Sequence, residues 1–111
     1  MSSYKVGSIC ILNSGNKNRP FLILNDGVGV DIDITTLNIT TKTPRNEFDV
    51  EVKHWEEAGL HKPSIVRCSK LNTINPGDPL FIIGKLHRED FETVCEKVKL
   101  YISKGLEAFQ E

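Results

Sequence analysis

The chain has 111 residues, of which 39% are hydrophobic and 26% charged, and its formal net charge is -1. That length suits one domain, residues 1–111, with room for a buried core. The charge excludes bulk attraction to nucleic acid or a membrane surface, so a polyanion can be held only by a local cluster.

No run approaches the roughly 18 apolar residues of a membrane span, and residues 1–5 carry no apolar leader. A cytoplasmic protein without membrane contact is expected. Cys10, Cys68 and Cys95 lie far apart in apolar surroundings and form no CxxC pair. They read as buried free thiols of a reducing compartment.

Residues 6–12, with Ile9, Ile11 and Leu12, read as a first strand. Residues 13–18 are a polar loop whose amide, serine and glycine residues tolerate turns. Phe21 to Leu24 forms a second strand, between Pro20 and the turn signal Asn25-Asp26-Gly27. Ile32 and Ile34 alternate on one parity and Leu37 and Ile39 on the other, which predicts a bulge or break between them. Phe48, Val50 and Val52 alternate with Asp49 and Glu51 as a half-exposed strand. Residues 53–60 have room for one helical turn, closed by Gly59.

Residues 65–71 and 80–83 complete the strands, separated by the turn-rich Asn75-Pro76-Gly77-Asp78-Pro79. From Arg88 the period becomes helical. Phe91, Val94, Cys95, Val98, Tyr101, Ile102 and Phe109 share a face, with Glu89, Asp90 and Glu92 near the positive N-terminal end. The pattern predicts a mainly β protein, a small bent sheet or barrel with one long C-terminal amphipathic helix packed on it.

The residues able to do chemistry are few. Arg19 opens the second strand and Arg67 sits within the fifth, each beside small hydroxyl or amide side chains. A guanidinium is permanently charged and grips two phosphate oxygens at once. Thr40 can hold a phosphate oxygen, and Lys42, Arg45 and Lys70 add a modest basic set. His54, His61 and His87 have no metal-ligand spacing and stand apart from every cysteine, so neither a metal nor another cofactor is expected. The reading requires both guanidinium groups to share one concave surface, with neither locked into a buried carboxylate pair.

Laid out in order, these segments resemble the MazF/PemK toxins, whose fold is a small SH3-like β-barrel shared with CcdB. Gly7-Ser8-Ile9, Asn18-Arg19-Pro20 before Phe21-Leu22-Ile23-Leu24, and Ile39-Thr40-Thr41 are similar to family motifs. So are Phe48-Asp49-Val50-Glu51-Val52, Gly59-Leu60 with Ser64-Ile65-Val66, Thr73-Ile74 and Gly84-Lys85-Leu86.

The resemblance implies an endoribonuclease toxin that cleaves single-stranded RNA by attack of a 2′-hydroxyl on the adjacent phosphorus. It implies a homodimer and an antitoxin protein as partners. It maps catalysis onto Arg19, Thr40 and Arg67, with Lys17, Thr41, Lys42, Ser69 and Lys70 as RNA contacts.

The PemK branch carries an aspartate two residues after the arginine; this chain has Ser69. Residues 13–18 contain no acid or histidine. A proton acceptor would come from elsewhere, with Asp26, Asp49 and His54 as candidates. A second reading, favoured by these departures, is a binding module of the same fold that takes RNA, a peptide or a protein without cleaving.

Overall fold

The computed structural model describes residues 5–79 and 81–109. It contains six strands, β1 (Ser8–Ser14), β2 (Lys17–Asn25), β3 (Ile34–Thr40), β4 (Asp49–Glu51), β5 (Ile65–Ile74) and β6 (Phe81–Lys85), followed by α1 (Arg88–Ala108). One sheet holds them in the order β4-β5-β3-β2-β1-β6, with every pairing antiparallel. The expected mainly β architecture with a C-terminal helix is the one observed.

The polar loop at 13–18 is shorter than its composition predicts. β1 and β2 pair up to Ser14 and Lys17, leaving a two-residue turn at Gly15-Asn16. Gly15 has φ +66° while Asn16 is not left-handed, the type II′ pattern that matches strand twist.

Register assigns each residue to a face, because directly paired residues point the same way. Leu12 pairs with Arg19, Phe21 with Asn38, and Asn38 with Arg67, which in turn pairs with Asp49. Arg19, Phe21, Asn38, Thr40, Asp49 and Arg67 therefore share one face. Cys10, Leu12, Phe21, Ile23 and Ile34 form a small apolar floor on it. The opposite face carries the main core, where Ile9, Leu22, Leu37, Ile39, Val50, Val66 and Cys68 meet Val94 and Val98 of α1.

The parity change in β3 has a simple cause. Ile34 and Thr36 are buried on the small-core face and Leu37 and Ile39 in the main core, so the strand is covered on both sides. β3 keeps its own alternation, and the irregularities lie on its neighbours: opposite Thr35 and Thr36, within the predicted stretch, the extra residue is Leu24 of β2, and a larger one lies just beyond that stretch, on β5. Leu37 pairs with Leu71 and Asn38 with Arg67, so Cys68, Ser69 and Lys70 have no partner on β3. A bulge of this kind bends the sheet and re-aims side chains.

Residues 53–60 form turns and no helix. The Ala58 N–H donates to the His54 carbonyl at 3.2 Å, and Gly59 at φ +86° ends that single turn. Helix α1 is capped by His87, whose Nδ1 accepts the Glu89 N–H at 3.1 Å. Asp90 is buried in its first turn and accepts the N–H groups of Lys53 (3.1 Å) and His54 (2.9 Å), which ties the preceding loop to the helix. Only the first half of the predicted apolar face is covered. Val94 and Val98 are buried, whereas Ile102, Leu106 and Phe109 are 61%, 78% and 69% exposed. No helix among the described residues is long and apolar enough to cross a membrane. Leu80, expected to open the last strand, lies outside the described residues.

Candidate functional site

A cleft of about 260 Å³ opens on the small-core face. Its charged lining is Arg19 from β2, Lys42 and Arg45 from the β3–β4 connection, and Arg67 and Lys70 from β5. Pro20 biases the residue before it toward extended backbone, which suits Arg19 to its place at the exposed end of β2. Thr40 ends β3 half-buried, and its Oγ1 accepts the Lys42 N–H at 3.2 Å. That bond turns the chain into the loop carrying Lys42 and leaves the hydroxyl proton available to a phosphate oxygen. Lys70 reaches the cleft from the β5 bulge.

Five cations on one small surface of a chain with net charge -1 make the local cluster that the composition demanded. Exposed Arg19 is the cation best placed to meet a ligand. It takes part in no ion pair with a described residue.

The sequence reading of Arg67 needs correction. It does share the concave surface with Arg19, but its guanidinium is not free. Arg67 Nη1 donates to Asp49 Oδ2 at 2.6 Å, with the Asp49 side chain fully buried and the Arg67 side chain 10% exposed. The two residues face each other across β4 and β5, 18 positions apart in sequence, so no local pattern announced the pair. The same oxygen accepts the Arg45 N–H at 2.8 Å and lies 3.6 Å from Arg45 Nε. Asp49 Oδ1 has no hydrogen-bond partner among the described residues.

Other predicted contacts fall outside this cleft. Lys17 lies exposed at the β1–β2 turn, Ser69 is half-buried in the bulge, and neither lines it. Thr41 lines a neighbouring groove with Pro44, Glu51 and Ile65. Asn38 lines the cleft and was missed; its parity with Thr40 was the available signal. Asn72 Nδ2 donates to Asn38 Oδ1, which joins the amide of β3 to that of β5.

Of the candidate proton acceptors, Asp49 reaches the cleft cations but is sealed from solvent. Asp26 accepts the Val28 N–H at 3.0 Å in the β2–β3 loop. His54 lies at the start of α1, stacked on His87 with ring centroids 3.9 Å apart.

Sequence spacing hid that histidine pair. Ligand atoms of His54, Glu57 and His87 come within 4.8 Å of one another. Because His87 Nδ1 accepts the Glu89 N–H, a neutral His87 carries its proton on Nε2. Binding a metal through Nε2 would require giving up the helix cap, so the arrangement fits a cap better than a metal site.

Burial raises all three thiols. Cys10 is pushed up to about 11 from an ordinary 9.0. Cys68 is pushed up to about 12, by burial first and then by the Asp49 charge. Cys95 is raised by burial. Cys95 is only partly buried, unlike the other two, and thiols kept neutral are poor nucleophiles.

No curated protein sequence matches the chain. Among solved structures, the Mycobacterium tuberculosis toxin MazF-mt6 is 28% identical with a TM-score of 0.73, covering 86% of this chain and 96% of that one. An endoribonuclease in complex with its cognate antitoxin from a mycobacterial species is 13% identical (TM-score 0.74), covering 91% and 96%. MazE-MazF from Deinococcus radiodurans is 16% identical (TM-score 0.72), covering 89% and 94%. The last two are likenesses of fold. Residues 6–102 match the family described as PemK-like, MazF-like toxin of type II toxin-antitoxin system, and the chain belongs to that family.

Proposed function

We propose that this toxin-family chain cleaves single-stranded RNA in the cleft of Arg19, Thr40, Lys42, Arg45, Arg67 and Lys70. The observation that carries this reading is the concentration of those five cations on one sheet face of a chain with net charge -1. A single strand lays its phosphates along such a surface.

In the reaction, a 2′-oxygen bonds to the adjacent phosphorus and the bond from phosphorus to the 5′-oxygen breaks. The products are a 2′,3′-cyclic phosphate and a free 5′-hydroxyl. Arg19 offsets the charge that grows on the phosphoryl oxygens, and Thr40 donates to one of them. Neither a histidine nor an exposed carboxylate lines the cleft among the described residues, so the 2′ proton passes to water and water returns a proton to the departing 5′-oxygen. The rate then rests on charge stabilisation and is slow for an enzyme.

An antitoxin and a second copy of the chain are the proposed protein partners. Support comes from the neighbour solved with its cognate antitoxin. The uncovered apolar side chains of α1 and Phe81 on edge strand β6 offer surface to such partners. A cytoplasmic site of action follows from an RNA target.

The rival reading, a binding module of the same fold without cleavage, is favoured by the sealed state of Asp49 and the pairing of Arg67. Purified protein incubated with a long single-stranded RNA in EDTA decides between them. Discrete cuts support the enzyme. RNA that is bound yet intact after prolonged incubation supports the module.

A further inference from the structure

Asp49 is a buried acid placed among the cations of an anion-binding cleft, where it lowers the very potential the cleft concentrates. Its side chain is fully buried, and a buried carboxylate persists only if it is paired and hydrogen-bonded. Here one oxygen takes everything. Oδ2 receives Arg67 Nη1 at 2.6 Å and the Arg45 N–H at 2.8 Å, with Arg45 Nε at 3.6 Å. Oδ1 receives nothing among the described residues.

The two partners come from different walls. Arg67 belongs to β5, and Arg45 to the β3–β4 connection that also carries Lys42. β4 pairs Asp49 directly with Arg67, so the carboxylate lies on the same face of the sheet as the cleft. The Arg67 side chain is 10% exposed, whereas that of Arg45 is 48% exposed. One carboxylate oxygen thus joins a nearly fixed guanidinium on one wall to the backbone of a more exposed arginine on the other.

Building on the proposed RNA cleft, we propose that Asp49 is a positioning residue. It holds the Arg67 guanidinium in a set orientation toward the RNA backbone and, through the Arg45 backbone N–H, fixes the loop that carries Arg45 and Lys42, at the expense of net positive charge. An untethered Arg67 would attract phosphate more strongly and in more orientations, few of them in line for 2′-oxygen attack. Positioning therefore predicts opposite effects on binding and on cleavage. A merely structural role predicts that both decline together.

The test is Asp49→Asn, assayed with a single-stranded DNA oligonucleotide as uncleavable probe and with RNA of the same sequence as substrate. Folding is verified by circular dichroism and melting. The expected result is probe binding several-fold tighter than wild type, as one negative charge leaves the cleft. The freed guanidinium adds one phosphate contact, which steepens the log–log salt slope by about 0.7. Single-turnover cleavage of the RNA falls at least tenfold.

Unchanged binding and cleavage, or parallel losses that track the folded fraction, overturn the proposal. A wild type that binds the probe but never cuts RNA removes the ribonuclease reading alone. The probe arm then still decides whether Asp49 restrains Arg67. A wild type that binds no probe removes both.

Should Asp49→Asn fail to fold, Asp49→Glu keeps the charge and moves the oxygen by one methylene. Cleavage that falls with probe affinity held within twofold supports positioning. Wild-type cleavage by Asp49→Glu, or failure of both variants to fold, overturns it.

Discussion

Gly59 and Gly84, in the loop after β4 and in β6, lie backbone to backbone. A methyl group on Gly84 would sit 2.0 Å from the Ala58 carbonyl oxygen, and one on Gly59 would sit 2.3 Å from the Ile83 carbonyl oxygen. The two glycine-containing motifs, far apart in the sequence, are therefore two halves of one crossing at the edge of the main core, where Ala58 is buried and Ile83 packs. Nothing larger than hydrogen fits between them.

Gly84→Ala is expected to cost about 3 kcal/mol, at the upper end for forced overpacking, because the clash is with the Ala58 backbone and no side chain can swing aside. Urea unfolding checks this. A stability loss below about 0.5 kcal/mol would show that the crossing can open without strain.

Asp90 links α1 to the loop through two backbone N–H groups. Asp90→Ala leaves both donors without their acceptor and is expected to cost about 2 kcal/mol. Asp90→Asn retains one acceptor oxygen and should lose roughly half as much. Thermal melts of the three proteins give the order wild type, Asn, Ala.

Arg19 is exposed and, among the described residues, has no ion pair to lose. Arg19→Ala should leave stability within about 0.5 kcal/mol of wild type. On the proposed reading it lowers RNA cleavage about 100-fold or more, as removal of one charge-stabilising donor does. Undiminished cleavage by the folded variant would take Arg19 out of the site.

The buried thiols make stability depend on alkaline pH. In the unfolded chain Cys10 and Cys68 ionise near 9.0, whereas in the fold they keep their protons to about 11 and about 12. Between those limits the unfolded state binds fewer protons, so stability falls as pH rises. The stabilisation from each thiol is fully present below pH 9 and declines by about 1.4 kcal/mol per pH unit above it. Denaturant unfolding from pH 8 to 11 should therefore show a shallower decline for the Cys10→Ala, Cys68→Ala double variant. Parallel curves for the two proteins would mean that the thiols do not contribute.

Much of the fold was legible in local patterns. Period-two apolar residues marked the strands, and the change of period at Arg88 marked the helix, because burial on one face leaves its repeat in the chain. Element ends were less legible. β5 runs three residues past its expected end at Leu71 to Ile74, and the loop at 13–18 shrinks to a two-residue turn, because cross-strand hydrogen bonds extend strands over polar residues. The half-buried strand expected from Phe48 to Val52 keeps only Asp49–Glu51.

At the site, Arg19, Thr40, Lys42 and Lys70 were picked out and do line one cleft, together with Arg45. Asn38 went unnoticed because a strand asparagine carries no chemical signal of its own. Ser69 and Thr41 were grouped with the cleft because sequence neighbours of functional residues look equivalent, while strand alternation and the bulge turn them elsewhere.

The amino-acid sequence alone determined the class of fold, the family and the inventory of cations, since each follows from residue type and near spacing. Only the tertiary structure decided which of the two arginines is paired. Strand register set Asp49 opposite Arg67 and left Arg19 to solvent, and register is a property of distant segments brought together, invisible in either segment by itself.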